Sequence, residues 1–301
     1  MTYVDLHLHG AFGIDVLTAA EAELDRLARA LSERGYAAFL PTLVPVAFDA
    51  LEATLSRLAP WIAGRREGDG RGALPLGVHF EGPFVQPTRA GALHREALLD
   101  AADARAVDRF LRLADACPGR TMITLAPEIP GGLDLVRACA GRGWLVAAGH
   151  TAATRDQLEA AVVAGARHLT HFCNAMRPFH HREPGPIGFG LVCDELSLDL
   201  IADLHHVHPD VLALALRTKP PAKLALISDA APAAGLTDGE YTTWGETITV
   251  RGGEARNAAG DLAGAVALLD EAVENLVACG AADRERAAAA ASSVPRAILG
   301  A

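Results

Sequence analysis

Lysine is almost missing from this chain. Among 301 residues only Lys219 and Lys223 occur, and arginine supplies the rest of the 27 basic residues, a bias that reflects a GC-rich genome rather than function. Basic runs are missing altogether, and the formal net charge is −10 with a pI near 5.6. Surfaces that bind nucleic acid or anionic membranes need concentrated positive charge, so neither partner is expected. Cysteine is sparse and unpatterned: Cys117, Cys139, Cys173, Cys193 and Cys279 are odd in number and form no Cys-x-x-Cys pair. That excludes a disulfide framework and a zinc knuckle, and fits reduced thiols in a cytoplasmic protein. The longest alanine stretch, 287–291, is far too short to cross a bilayer. The first residues lack the charged-then-apolar layout of a signal peptide. No linker, repeat or Gly-x-Gly-x-x-Gly occurs, so residues 1–301 are expected to form one domain without a dinucleotide fingerprint.

Half of the residues are hydrophobic, enough for a large core. Short apolar runs rich in Val, Ile, Leu and Thr alternate with segments of helical period. Strands are expected at Tyr3–Leu8, Ala37–Leu43, Leu76–Phe80, Met122–Ala126, Leu145–Gly149, His168–Phe172, Leu198–Ala202 and Lys223–Ser228. Helices are expected near 19–33, 47–64, 101–115, 132–141, 154–164 and 209–217, with two closing helices near 266–279 and 283–298. Thr154 and Gln157 form a capping-box signature at the start of the fifth. Eight strands with intervening helices predict an α/β fold, a closed parallel (β/α)8 TIM-like barrel, with an open doubly wound sheet as the alternative. A small β-hairpin is expected near 241–263, turning at Gly252-Gly253.

The barrel places chemistry at the C-terminal ends of its strands. His7 and His9 stand two apart on the first strand and therefore share a face, where two imidazoles can bind one metal ion. Glu81 follows the third strand, His150 the fifth, His171 the sixth and Asp229 the eighth. Four histidines and two carboxylates fit a centre for one or two divalent metals, with zinc the first expectation and iron, manganese or cobalt also compatible. Two adjacent cations need a bridging anion. Neither lysine lies at a strand's C-terminal end, so a carboxylated lysine is excluded and Glu81 becomes the bridge. Such a centre ionises water near neutral pH and polarises a carbonyl. Asp229 is placed to accept the water's proton and return it to a leaving amine. His79 and His168 share strand faces with Glu81 and His171 and are read as supporting hydrogen-bonding residues. Cys173 is read as packing.

The segments Gly77–Phe84, Ala148–Thr151, Thr170–Met176, His180–Gly185 and Ser228–Ala230 stand in the order and composition of one family. Together they resemble the N-acetylglucosamine-6-phosphate deacetylases of the amidohydrolase superfamily. The resemblance implies that Glu81, His150 and His171 hold the principal metal and that His7 and His9 serve a second. It implies Asp229 as general acid and base, His206 polarising the acetamide carbonyl, Asn174 and Ala175 binding substrate, and Arg182 meeting the phosphate. The substrate would be N-acetylglucosamine 6-phosphate, and a homodimer is expected.

Three departures accompany it. The family carries a small β-sandwich domain built from segments flanking the barrel, and here two residues precede the first strand and the chain stops at Ala301, so that domain is expected to be missing. After Glu81 the chain reads Gly91-Ala92-Leu93-His94, with leucine where a substrate-contacting histidine belongs and His94 one position late. Cys173 replaces an aromatic residue. These leave open a divergent amidohydrolase acting on another N-acyl or cyclic amide, and a non-catalytic barrel kept for binding.

Overall fold

The computed structural model describes residues 2–301. Eight parallel strands form the frame: β1 (Tyr3–Leu8), β2 (Tyr36–Leu43), β3 (Gly77–Glu81), β4 (Arg120–Leu125), β5 (Leu145–Ala148), β6 (His168–Leu169), β7 (Ser197–Ile201) and β8 (Leu224–Ile227). They pair in chain order, and a parallel bridge between Leu8 and Ala230 joins the last strand to the first. The Asp229 N–H donates to the His7 carbonyl at 2.9 Å and the His9 N–H to the Ala230 carbonyl at 3.0 Å, closing the ring at its C-terminal mouth. Each strand lies within two residues of its expected start. β6 is shorter, because the chain beyond Leu169 turns out of the ladder toward left-handed backbone at His171.

The intervening helices are α1 (Glu21–Glu33), α2 (Phe48–Ala63), α3 (Ala104–Asp115), α4 (Gly132–Ala140), α5 (Arg155–Ala164), α6 (Gly185–Val192) and α7 (Pro209–Thr218). α5 starts on the expected box: Thr154 Oγ1 accepts from the Gln157 N–H, and Gln157 Oε1 accepts from the Thr154 N–H at 2.8 Å. α6 is an addition to the expected pattern, since its glycines at 185, 188 and 190 disfavour helix. Tertiary packing overrides them: Phe189 is buried, and a Cβ at Gly190 would meet Leu169 at 2.3 Å.

Two cores result. The larger packs the outer strand faces against the helices. The smaller fills the barrel, with Val4, Leu6, Ala38, Leu40, Met122, Ala147, Ile201 and Ile227 above Leu299. Its floor is apolar and its upper layer polar, the arrangement that leaves the mouth for chemistry.

After β8 the excursion is larger than a hairpin. A four-stranded antiparallel sheet comprises β9 (Gly239–Thr243), β10 (Glu246–Arg251), β11 (Glu254–Arg256) and β12 (Leu262–Ala265). Gly252-Gly253 is the expected turn, with both φ positive as a type I′ turn requires. β12 docks on the barrel through the Ala265 N–H to the Asp229 carbonyl at 2.8 Å and the Ala231 N–H to the Ala265 carbonyl at 2.9 Å. The closing segment is three helices: α8 (Leu269–Ala278), α9 (Arg284–Ala290) and α10 (Ser293–Leu299). The expected helix over 283–298 divides at Ala291–Ser292, where Ser292 leaves helical backbone. No helix among the described residues is long and apolar enough to cross a membrane.

Candidate metal centre

All six expected ligands meet at the C-terminal mouth. His7, His9 and Asp229 form one buried group and Glu81, His150 and His171 another, each with its donor atoms within 4.8 Å of one another. In the first, His7 Nε2 lies 3.2 Å and His9 Nε2 3.3 Å from Asp229 Oδ1. In the second, Glu81 Oε1 lies 3.0 Å from His150 Nε2 and 3.1 Å from His171 Nε2. Glu81 also reaches the first group, with Oε1 3.5 Å from His7 Nε2 and Oε2 3.3 Å from His9 Nε2. One carboxylate thus touches all four imidazoles.

The local folding explains the convergence. β1 and β2 pair Asp5 with Phe39 and then Leu8 with Pro41, so β1 carries an additional residue in a bulge. The bulge lets Leu6 join the interior floor while His7 and His9 both face the mouth. His150 (φ 47°), His171 (φ 36°) and Asp229 (φ 51°) each adopt left-handed backbone just beyond their strands. Such conformations are costly for non-glycine residues and cluster where function holds them.

Hydrogen bonds behind the ligands set their tautomers. His9 Nδ1 donates to the Thr42 carbonyl at 3.1 Å and His150 Nδ1 to the Arg89 carbonyl at 2.8 Å, leaving each Nε2 lone pair facing inward. Asp199 accepts the His171 N–H and is bound by His168 Nε2 at 2.8 Å, so His168 acts through Asp199. His79 donates from Nδ1 to the Leu6 carbonyl at 3.1 Å and accepts at Nε2 from Thr124 Oγ1 at 2.8 Å. Burial and the neighbouring His7 hold its pKa well below the ordinary value, which suits a neutral supporting ring.

The donor set demands positive charge between its members. Burial opposes ionisation of His9, yet the Asp229 and Glu81 carboxylates outweigh it and raise its pKa to about 10. Burial likewise opposes charge on His171, which Glu81 holds at about 9. Burial would lift Glu81, but His7, His150 and His171 keep it well below the usual carboxylate range. Protons here do what a cation does better, because four imidazole nitrogens and two carboxylates are metal ligands by type. His150 Nε2 and His171 Nε2 stand 3.0 Å apart, a separation that two lone pairs tolerate only with a cation or proton between them. The residues therefore fit one or two divalent ions.

The mouth opens into a cavity of about 190 Å³ lined by His9, Glu81, His150, His171 and Asp229 together with Leu93, His94, Asn174, Ala175, His206 and Trp244. Of the expected substrate residues it therefore gathers Asn174, Ala175, His206 and His94. Arg182 it does not gather: this residue is exposed, on the loop before α6, with its guanidinium 2.9 Å from His181 Nε2. His206 Nδ1 is bound to Asp203 Oδ2 at 2.7 Å. Burial alone would raise Asp203, and the His206 bond brings it below the ordinary value. Asp203 was legible as Asp-x-x-His yet was missed, and Trp244 carried no local signal. Burial pushes the Cys173 thiol up to about 12, so it stays protonated and packs. Lys219 is buried against the Cys193 carbonyl near the start of β8, remote from the ligands' end of the strands.

A closed eight-strand barrel with this ligand set at its C-terminal mouth defines a TIM-barrel hydrolase of the metal-dependent amidohydrolase type. Comparison with known proteins narrows the class. The chain is 38% identical over 298 residues to an N-acetylgalactosamine-6-phosphate deacetylase of Escherichia coli, covering 99% of this chain and 77% of that protein. It is 38% identical over 274 residues to an N-acetylglucosamine-6-phosphate deacetylase of Bacillus subtilis, covering 91% and 68%. A solved structure of a mutant N-acetyl-D-glucosamine-6-phosphate deacetylase from Mycobacterium smegmatis, in complex with N-acetyl-D-glucosamine-6-phosphate, superposes with a TM-score of 0.89 at 32% identity, covering 99% of this chain and 77% of that one. No family model matches the chain. The chain belongs to the N-acetylglucosamine-6-phosphate deacetylase family, hydrolases of an amide carbon–nitrogen bond.

Proposed function

We propose that the protein hydrolyses N-acetylglucosamine 6-phosphate to glucosamine 6-phosphate and acetate. The observation that carries this is Glu81 touching all four mouth imidazoles, in a chain whose relatives act on N-acetylated amino sugar phosphates. Glu81, His150 and His171 would hold the principal divalent metal, zinc first, and His7, His9 and Asp229 a second, with Glu81 between them. When bound, these ions supply an ionised water and an electrophile for the amide oxygen.

The chain's own residues do the rest. Asp229 Oδ2 takes the proton of the attacking water and delivers it to the departing nitrogen, so that C–N cleavage yields a neutral amine. His206 donates from Nε2 to the acetamide oxygen, while Asp203 fixes the ring through Nδ1. Asn174 and Ala175 position the sugar, with His94 beside them. Arg182 receives the phosphate, the cavity lining itself offering neither arginine nor lysine. Arg182 and the exposed Phe179 share one loop, the face we assign to a homodimer contact. Residues 1–301 would act as one barrel domain, in the cytoplasm.

The test is acetate release by metal-loaded protein from N-acetylglucosamine 6-phosphate, its galacto epimer and the unphosphorylated sugars. Turnover of the gluco phosphate is expected to exceed the others. The Escherichia coli relative makes the galacto epimer the informative competitor, and preference for it would move the substrate assignment without touching the chemistry. Turnover of none, with substantially less than one metal bound per chain after zinc or manganese loading, would favour a binding barrel.

A further inference from the structure

The catalytic cavity shares a wall with a second cavity of about 470 Å³, and only Val44, His94 and Trp244 line both. Trp244 is the largest of the three and sits at the tip of the β9–β10 turn, between the paired residues Thr243 and Glu246. Its φ is +53° and that of Gly245 +83°, so both central residues of a two-residue turn lie in left-handed backbone. Glycine and asparagine suit the first of these positions, and a tryptophan there is strained. The strain is held in place from two sides. The Trp244 indole packs edge-on against His9 with centroids 5.2 Å apart, and its carbonyl accepts from His94 Nε2 at 3.0 Å. The ring of His94 is thereby engaged with the turn.

His9 ends β1, whereas His150 ends β5, diametrically across an eight-strand ring. A Cβ on Gly91 would lie 3.9 Å from His150 and 4.0 Å from Ala175, so the Asn174–Ala175 sugar side of the mouth is the His150 side. A substrate lying across the centre with its sugar there directs its acyl group toward His9 and Trp244. Beyond that wall the second cavity presents Leu17, Ala19, Val46 and Leu236 together with Asp15, Glu23 and three threonines, and neither lysine nor arginine lines it. Its apolar lining suits a short alkyl chain, and its carboxylates repel a phosphate.

We propose that Trp244 is the specificity-determining residue for acyl length: its indole ends the acyl pocket after a methyl group, and its removal joins the two cavities so that longer N-acyl groups are accepted. This rests on the amide-hydrolase reading above. The chemistry is unchanged, since water still adds its oxygen to the acyl carbon while the same C–N bond breaks and nitrogen takes the proton. Glycine adopts φ +53° freely, so Trp244→Gly keeps the turn.

The test compares kcat/KM for N-acetyl, N-propanoyl and N-butanoyl glucosamine 6-phosphate in the wild type, Trp244→Gly, and Trp244→Gly with Thr18→Phe, which refills the second cavity from an exposed position. One methylene in such a pocket is worth roughly tenfold or more. The butanoyl-to-acetyl ratio is expected to rise at least about tenfold in Trp244→Gly and to fall back in the double variant. A ratio within about twofold of the wild type would overturn the gate. Calorimetric binding of the carboxylate products, butanoate against acetate, reads the same wall without the sugar. If no amino sugar phosphate turns over yet Trp244→Gly raises the butanoate preference, the substrate reading fails and the gate stands. An unchanged preference overturns the gate even where deacetylation succeeds.

Discussion

The proposed function gives Asp229 two duties, binding a cation and moving a proton, and its surroundings permit both. Burial works to raise its pKa, while His7 and His9 hold it below the ordinary value, so the carboxylate is ionised when water arrives. Asp229→Asn keeps the shape and removes the base; kcat is expected to fall about 10²–10⁴-fold in steady-state assays while KM moves far less. Arg182→Ala separates differently. KM for the phosphorylated sugar should rise about tenfold or more, with kcat retained and the unphosphorylated sugar unaffected. An equal effect on both sugars would remove Arg182 from phosphate recognition. Asp5 gives a pH signature. Burial lifts its pKa from 3.8 to about 7, against the opposing hydrogen bond from Ser228. Between those values the folded protein holds a proton that the unfolded chain has released, so stability falls as pH rises from about 4 to 7. Asp5→Asn should flatten that fall in denaturant titrations across this range, and an unchanged slope would reject the assignment. The ligands were legible because strand alternation and strand ends locate them. Asn174 and Ala175 were reachable only through resemblance, and Trp244 through neither, because a turn tip has no period from which to read direction.

Among the elements, those with strong periodicity were read best. The strands around the ligands repeat in the fold nearly where Val, Ile and Leu runs placed them, since buried parallel strands are apolar on both faces. The Thr154–Gln157 box is local chemistry and appears as read. Thr154→Ala should cost about 1 kcal/mol and lower Tm by about 2 °C, measured by calorimetry; no change would mean that packing alone fixes the start of α5. What was misread has physical causes. α6 is glycine-rich and held by Phe189 and Leu169, which propensity does not register. The break at Ala291–Ser292 is marked by Pro295, which a helix tolerates only in its first turn and which the reading of one helix over 283–298 passed over. The sheet over 239–265 was foreseen as one hairpin because only Gly252-Gly253 is an unmistakable turn. Its other connections, through Trp244-Gly245 and through 257–261, carry weaker signals.

As a whole the molecule is a ring whose closure makes its site. The bonds joining His7, His9 and Asp229 to the backbone across the β1–β8 seam place ligands from both chain halves in one mouth. Ions that bind only the folded ring stabilise it by mass action, so chelation should lower Tm and restoring zinc or manganese should raise it again. A Tm indifferent to chelator would mean that the cluster is held by protons alone. Everything here depends on Glu81 joining two cation positions. Anomalous scattering from crystals of zinc-loaded protein tests it most directly. The account predicts a peak bound by Glu81, His150 and His171, and a second, when occupied, bound by His7, His9 and Asp229 with Glu81 reaching both; metal that binds elsewhere, or a mouth that stays empty in loaded, active protein, would contradict it.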